Sequence, residues 1–263
     1  MFANEIINII ESVAPLSQQE GWDNSGLQVG SRETEVARVL LCTDVNDAVV
    51  AEARRKNCQM IVSHHPLLFR GLKRIEGQTR QERCVIDAIR AGIVIYSSHT
   101  AMDTYLHGVS GRIAEKLGIT DYSILSPTGE GVGLGVIGRL PEPLTIEAFL
   151  RLLKMTFHTE SIRYVERQVA GNAKDTLITT VAMCGGAGSE FMETAIAQGA
   201  DAYVSGDCKY HELQAADGRI NVFDIGHFES EQYTKEIFRE LIEKHGAECI
   251  FAETDISPIK TYK

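Results

Sequence analysis

The sequence predicts an α/β protein of two similar α/β lobes, on three observations. Short β-branched runs alternate with stretches of helical period, the alternation occurs twice, and each half leads into a histidine with a carboxylate four residues on. Strand, helix, strand alternation implies parallel pairing through crossover helices.

In residues 2–13, Phe2, Ile6, Ile7, Ile9, Ile10 and Val13 follow helical spacing, and Pro15 ends that element. EGWDNSGLQVG reads as a turn segment. VARVLLCTDV reads as a strand, AVVAEARRKN as an amphipathic helix and QMIVSHH as a short buried strand. ERCVIDAIRAG and GIVIYSSHTAMD repeat the unit, and a helix from Val109 to Leu117 stops at Gly118. Prolines and glycines between 119 and 145 break the rhythm, which places a boundary near 128 and lobes over 1–127 and 128–263.

The second half opens with GLGVIGRL as a strand, IEAFLRLLKMTF as a helix capped by Thr145, and SIRYVE as a strand. A loop containing GNAKD leads into LITTVAMCGGAG, a strand ending in a glycine turn. A helix over 189–198, the strand DAYVSGD, the helix HELQAADG and the strand INVFDIGH follow, and SEQYTKEIFRELIEKHG reads as one long final helix. LLCTDVNDAVVAEARRKNCQMIVSHH and VAMCGGAGSEFMETAIAQGADAYVSGD keep the same order of strand, turn, helix and strand, which reads as a weak internal duplication. Such lobes would bring their strand ends to one shared crevice, since α/β sheets bind ligands beyond the carboxyl ends of their strands.

With 263 residues, 44% hydrophobic and 24% charged, the chain can bury a core without covalent staples. MFANEIINIIESVAP lacks a basic leader and a small-residue cleavage pattern, and no apolar run nears the ~20 residues that span a bilayer. Six cysteines without a C-x-x-C pair read as reduced, packed thiols, and the expected location is cytoplasmic. A net charge of -10 argues against non-specific nucleic-acid binding. In FRGLKR, Arg70, Lys73 and Arg74 could meet a phosphate, although a solvated loop explains them more simply.

Three motifs carry chemistry. In MIVSHHPLLF, His64 and His65 end a buried strand; neighbours in extended chain point to opposite sides, so both serve metals only if there are two, or if the chain turns sharply. Capping of a following helix is the structural alternative. YSSHTAMD adds His99 and Asp103 after another β-rich run. FDIGHFESE places His227 one helical turn before Glu231; the acidic preference of a helix start explains Glu229 but not the histidine. Imidazole and carboxylate suit Zn, Mn, Fe, Ni or Co. Together the motifs predict a two-metal centre of His64, His65, Asp103, His227 and Glu231 and metal-assisted hydrolysis.

Other features are weaker. His211 is a candidate for proton transfer, and His99 is a ligand or a residue that orients one. CGGAGSE resembles a phosphate-cradling turn but lacks the Walker lysine. Trp22, Asp23 and Asn24 could cover the site, and an Asx turn with a packed indole explains them equally well.

WDNSGLQVG, SHHPLLF, SSHTAMD, GGAGSE, YVSGDCKYHE and DIGHFESE, over residues 4–263, together resemble the GTP cyclohydrolase 1 type 2 homolog family, the NIF-three-like proteins. The resemblance implies two similar lobes, a ring-like homohexamer and two divalent metals in the cleft between the lobes. It implies His65 and Asp103 as ligands of one metal, His64 and His227 of the other, and Glu231 as the bridge. The extra mid-chain domain of some bacterial relatives does not fit within 119–175. The family name implies hydrolytic opening of the guanine imidazole ring of GTP. The expected partners are a small-molecule substrate and further copies of this chain, not a membrane. The competing reading is a non-catalytic metal-binding scaffold or metal-delivery protein; a nucleic-acid-binding ring is disfavoured by the acidic charge.

Overall fold

The computed structural model describes residues 1–168 and 177–262; the expected GNAKD loop lies outside them. In chain order the elements are α1 (Ala3–Glu11), β1 (Gly26–Val29), β2 (Arg38–Cys42), α2 (Asp47–Arg55), β3 (Met60–Ser63), α3 (Arg80–Ala91), β4 (Val94–Ser97), α4 (Thr100–Asp103) and α5 (Val109–Lys116). Then come β5 (Tyr122–Gly129), β6 (Val132–Thr145), α6 (Ile146–Phe157), β7 (Arg163–Val165), β8 (Leu177–Met183), α7 (Met192–Ala197), β9 (Ala202–Ser205), α8 (Tyr210–Ala215), β10 (Asn221–Asp224), α9 (His227–Glu231), α10 (Thr234–Glu243) and β11 (Glu248–Phe251).

Two compact units are interleaved in sequence. One comprises Met1–Met102 and Thr234–Ile256, the other Asp103–Tyr233 and the residues from Ser257 onward. A division near 128 would fall inside β5, which is hydrogen-bonded along its length to β6. It would also part β11 from β2, its parallel neighbour from Glu248↔Arg38 to Phe251↔Leu41.

The first unit holds a five-stranded sheet of order β1-β4-β3-β2-β11. Its last four strands are parallel and β1 is antiparallel to β4. EGWDNSGLQVG is therefore not all turn: Leu27 pairs with Tyr96. α2 and α3 cover one face, packing Val49, Ala53, Cys84 and Ala88 on Leu40, Ile61 and Ile95. Every side chain of β3 and β4 is buried, which is why both read as unbroken apolar runs. Asn46 caps α2 by accepting from Val49 N at 3.0 Å, and Gly92, at φ 66, ends α3 in the left-handed region.

The second unit holds a six-stranded sheet of order β5-β6-β8-β9-β10-β7. Parallel pairing is confined to β8, β9 and β10; β5, β6 and β7 pair antiparallel. Thr145 caps α6 as its sequence predicts, accepting from Ala148 N at 3.2 Å. The apolar stripe of α6, Phe149, Leu153 and Phe157, is fully buried against Ile178, Val181 and Phe223. Each of these side chains contributes roughly 1.5–3 kcal/mol by leaving water. The expected single final helix is instead α9 and α10, parted at Gln232 and Tyr233, where the chain passes from one unit to the other.

Each unit thus carries one parallel triplet with two crossover helices, β2-α2-β3-α3-β4 and β8-α7-β9-α8-β10, and this is the repeat the sequence announces. All six cysteines are unpaired, and five are buried. Burial pushes Cys84 up to about 11 and Cys208 up to about 12, so these thiols stay protonated near neutral pH. Among the described residues no helix is long and apolar enough to cross a membrane.

Candidate metal centre

In the first unit the side chains gather beyond the carboxyl ends of β2, β3 and β4. His64 and His65 follow β3 directly, and their amides extend the sheet ladder, His64 N donating to Cys42 O at 3.2 Å and His65 N to Thr43 O at 2.9 Å. A bend there brings both rings to the same side, with centroids 4.9 Å apart, in place of the opposite directions of an extended strand. His99, just after β4, lies 5.2 Å from each. One ring nitrogen of each of the three lies within 4.8 Å of the others, a spacing that can hold a metal ion.

Every one of these imidazoles is held through Nδ1. His64 Nδ1 meets Ser98 O at 3.1 Å, His65 Nδ1 meets Asp44 Oδ1 at 3.1 Å, and His99 Nδ1 meets Asp23 Oδ1 at 2.9 Å. A carbonyl or a carboxylate only accepts, so Nδ1 carries the proton and Nε2 the lone pair, the tautomer a metal ligand needs. Burial alone would raise the Asp23 carboxyl, but hydrogen bonds from His99, Thr100 and Ser25 outweigh it and hold Asp23 well below the usual carboxylate range. Asp44 is set by Asp255, whose carboxylate accepts from Thr43 N at 2.7 Å and Asp44 N at 3.2 Å while pairing with Lys235 at 2.7 Å.

The second unit builds its cluster beyond the carboxyl ends of β8, β9 and β10. Gly226, at φ 95, turns the chain from β10 into α9. His227 and Glu231 then lie one helical turn apart, Nε2 to Oε2 at 3.2 Å. His227 Nδ1 meets Asp207 Oδ2 at 3.0 Å, from the turn after β9. The loop after β8 is pinned by Ser230, whose Oγ accepts from Gly186 N at 2.9 Å. A Cβ on Gly186, at φ 63, would stand 2.3 Å from Glu231 Oε1, so only glycine lets this backbone pass beneath the carboxylate. Burial raises the Cys184 thiol well above its usual range, and the nearby charges of Asp103 and Glu231 raise it further.

The structure brings together His64, His65 and His99 in one unit, and His227 with Glu231 in the other. Asp103 ends α4, one helical turn beyond His99. His211 lies exposed on α8 with Nδ1 3.3 Å from Gln214 Oε1. Asp44 and Asp207, which the sequence analysis did not single out, anchor His65 and His227; Asp23, noted only as part of a covering loop, anchors His99. The one local sign is that Asp44 and Asp207 each stand two residues after a parallel strand.

The donor chemistry fits divalent first-row cations: neutral imidazoles with oriented Nε2 atoms, supported by carboxylates. Fold and donor sets define the class first, a two-sheet mixed α/β protein bearing candidate metal-ligand clusters at its parallel strand ends. The profile of Duf34/NIF3 (NGG1p interacting factor 3) matches residues 1–258, and the chain belongs to that family. It is 36% identical over 234 residues to the GTP cyclohydrolase 1 type 2 homolog of Clostridium perfringens, covering 88% of this chain and 87% of that protein. The protein of the same name from Streptococcus pneumoniae is 34% identical over 230 residues, covering 87% and 85%. The crystal structure of Staphylococcus aureus protein SA1388 superposes with a TM-score of 0.89 at 25% identity, covering 100% of this chain and 99% of that one.

Proposed function

We propose that this chain is a metal-dependent hydrolase in which His64, His65, Asp103, His227 and Glu231 hold two divalent cations, acting on a nucleotide-like or small phosphorylated substrate. The observation that carries the reading is the anchoring of Nδ1 in His64, His65 and His227 by a carbonyl or a carboxylate, which turns each Nε2 away from its anchor, that of His227 toward Glu231. Histidines that merely pack or cap a helix have no need of one common anchoring through Nδ1. When bound, two such cations polarise a substrate oxygen and lower the pKa of a water toward neutrality.

The chain's own residues do the rest. Asp44 and Asp207 hold the His65 and His227 rings in orientation. Glu231, kept in place by Gly186 and His227, supplies a carboxylate to the centre. Arg70, Lys73 and Arg74, all exposed, offer positive charge to a phosphate. The relatives' name supports GTP ring opening as the first reaction to try. The same resemblance supports a homohexamer in the cytoplasm, and sedimentation at six times the chain mass is the expected result.

The test is GTP turnover by metal-depleted protein reloaded separately with Zn, Mn, Fe, Ni and Co, following formyl release, with Glu231→Ala as control. Product that needs metal and vanishes in Glu231→Ala is expected. Turnover that survives metal removal would end the hydrolase reading. Bound metal without turnover across nucleotides and phosphate esters would favour the non-catalytic scaffold.

A further inference from the structure

Trp22 is the only tryptophan of the chain, yet 59% of it is exposed, and Phe69 beside it is 46% exposed. Their ring centroids are 5.8 Å apart at 48°. Both lie against the ring of His99, Trp22 at 5.9 Å and Phe69 at 6.5 Å, each nearly edge-on. Two large aromatic faces left in water at the border of a histidine cluster are not accounted for by core packing.

The platform is built rather than loose. Asn24 Nδ2 donates to Leu68 O, Leu68 N donates to Gln28 Oε1 at 3.1 Å, and Gln28 Nε2 returns to Asn24 O at 2.7 Å. These bonds stitch the loop carrying Trp22 to the segment carrying Phe69. The rings are tilted to one another and both are exposed, so each offers a face on which a planar ring can stack. The basic segment begins at the next residue, Arg70; further on, Lys73 and Arg74 line a pocket of about 570 Å³ with Gly71, Leu72 and the carboxylate residue Glu82.

We propose that Trp22 and Phe69 are the stacking face for a planar heteroaromatic ring of the substrate, held at His99, with the substrate's phosphate on the adjoining basic segment. This deepens the hydrolase reading and rests on it for the word substrate. The aromatic rings meet the imidazole of His99 within one unit, and the positive charge follows Phe69 directly in the chain. Exposed aromatic rings next to imidazole, with basic residues following in the chain, fit a small molecule that carries both a base and a phosphate better than an extended apolar partner.

The fluorescence of Trp22 reports on this face alone, because no other tryptophan is present. Full-length protein is titrated with guanosine, guanosine monophosphate and ribose 5-phosphate, and affinities are repeated by calorimetry. Expected are saturable quenching by guanosine, tighter binding of the monophosphate, and no quenching by ribose 5-phosphate. Trp22→Ala and Phe69→Ala should each weaken guanosine roughly 10–100-fold, the range of a lost base–aromatic stack, while Trp22→Phe stays within about threefold. Metal content should be the same in all three variants.

Unchanged guanosine affinity in the alanine variants, or ribose 5-phosphate binding as tightly as the monophosphate, would overturn the proposal. So would variants that alter only the sedimentation of the protein, since the face would then be a contact between copies. Repeating the titration in Glu231→Ala separates the two readings. Trp22-dependent guanosine binding there stands without turnover, whereas turnover in wild type that ignores Trp22 sinks the platform alone.

Discussion

Asp44 Oδ1 reaches His65 Nδ1 at 3.1 Å across 21 positions of chain, and Asp207 Oδ2 reaches His227 Nδ1 at 3.0 Å across 20. Each unit thus orients a strand-end histidine with an aspartate from a neighbouring strand end. Asp44→Ala and Asp207→Ala should each weaken metal binding about 10–100-fold with the fold retained. Competition with a coloured chelator measures this; wild-type affinity in both variants would show that the aspartates orient nothing.

Asp255 should act on the same property at one remove. Its carboxylate fixes the amides of Thr43 and Asp44, so Asp255→Asn loosens the turn that aims Asp44. The expected loss of metal affinity is smaller than in Asp44→Ala. Lys235→Met should instead destabilise the fold by about 3–5 kcal/mol, because it strips a buried carboxylate of its cation. Urea unfolding of the metal-free proteins separates the two effects.

Gly186→Ala forces a Cβ to within 2.3 Å of Glu231 Oε1, so the carboxylate must move. Gly199 shares the left-handed backbone, at φ 76, with nothing within 4 Å of an added Cβ. Both alanine variants should lose roughly 1–2 kcal/mol of stability from the left-handed backbone, but only Gly186→Ala should also lose bound metal. Metal analysis of the two purified variants decides it, and equal retention would remove Gly186 from the site.

Glu52 predicts an acid-dependent term. Its buried carboxylate accepts from Glu253 N and Thr254 N, each at 2.9 Å, and from Thr254 Oγ1 at 2.6 Å, and pairs with Lys56 at 2.7 Å. Burial alone would raise this carboxyl, but the Lys56, Thr254 and backbone hydrogen bonds bring it down to about 2 from an ordinary 4.5. A depressed folded value gives stability that is full above pH 4.5 and is lost as pH falls through about 2. Glu52→Gln should cost about 1–3 kcal/mol near neutrality. Its deficit against wild type should shrink as urea unfolding is repeated from neutral pH toward pH 3, and a constant deficit would remove the carboxylate charge from the account.

Elements whose signals are local were legible in sequence: the α1 stripe of Ile6, Ile7 and Ile10, the Thr145 cap of α6, and the buried runs of β3 and β4. β11 escaped because ECIF is short and partly exposed, and it becomes a strand only by pairing with β2 more than 200 residues earlier. Nothing in EQYTKEIF breaks a helix locally, so the parting of α9 from α10 was equally silent.

The sequence alone determined the alternation of strands and helices, its repetition, and the strand-end placement of His64, His65, His99 and His227. Periodicity, caps and glycine turns act within a few residues, and they are written in the order of the chain. Only the tertiary structure decided which aspartate meets which imidazole, which ring nitrogen carries the proton, that Trp22 and Phe69 share a face, and that the C-terminal helix and strand belong to the first unit. Those choices rest on hydrogen bonds and ring contacts between residues 20 to 210 positions apart. Such contacts exist only once the strand registers are set.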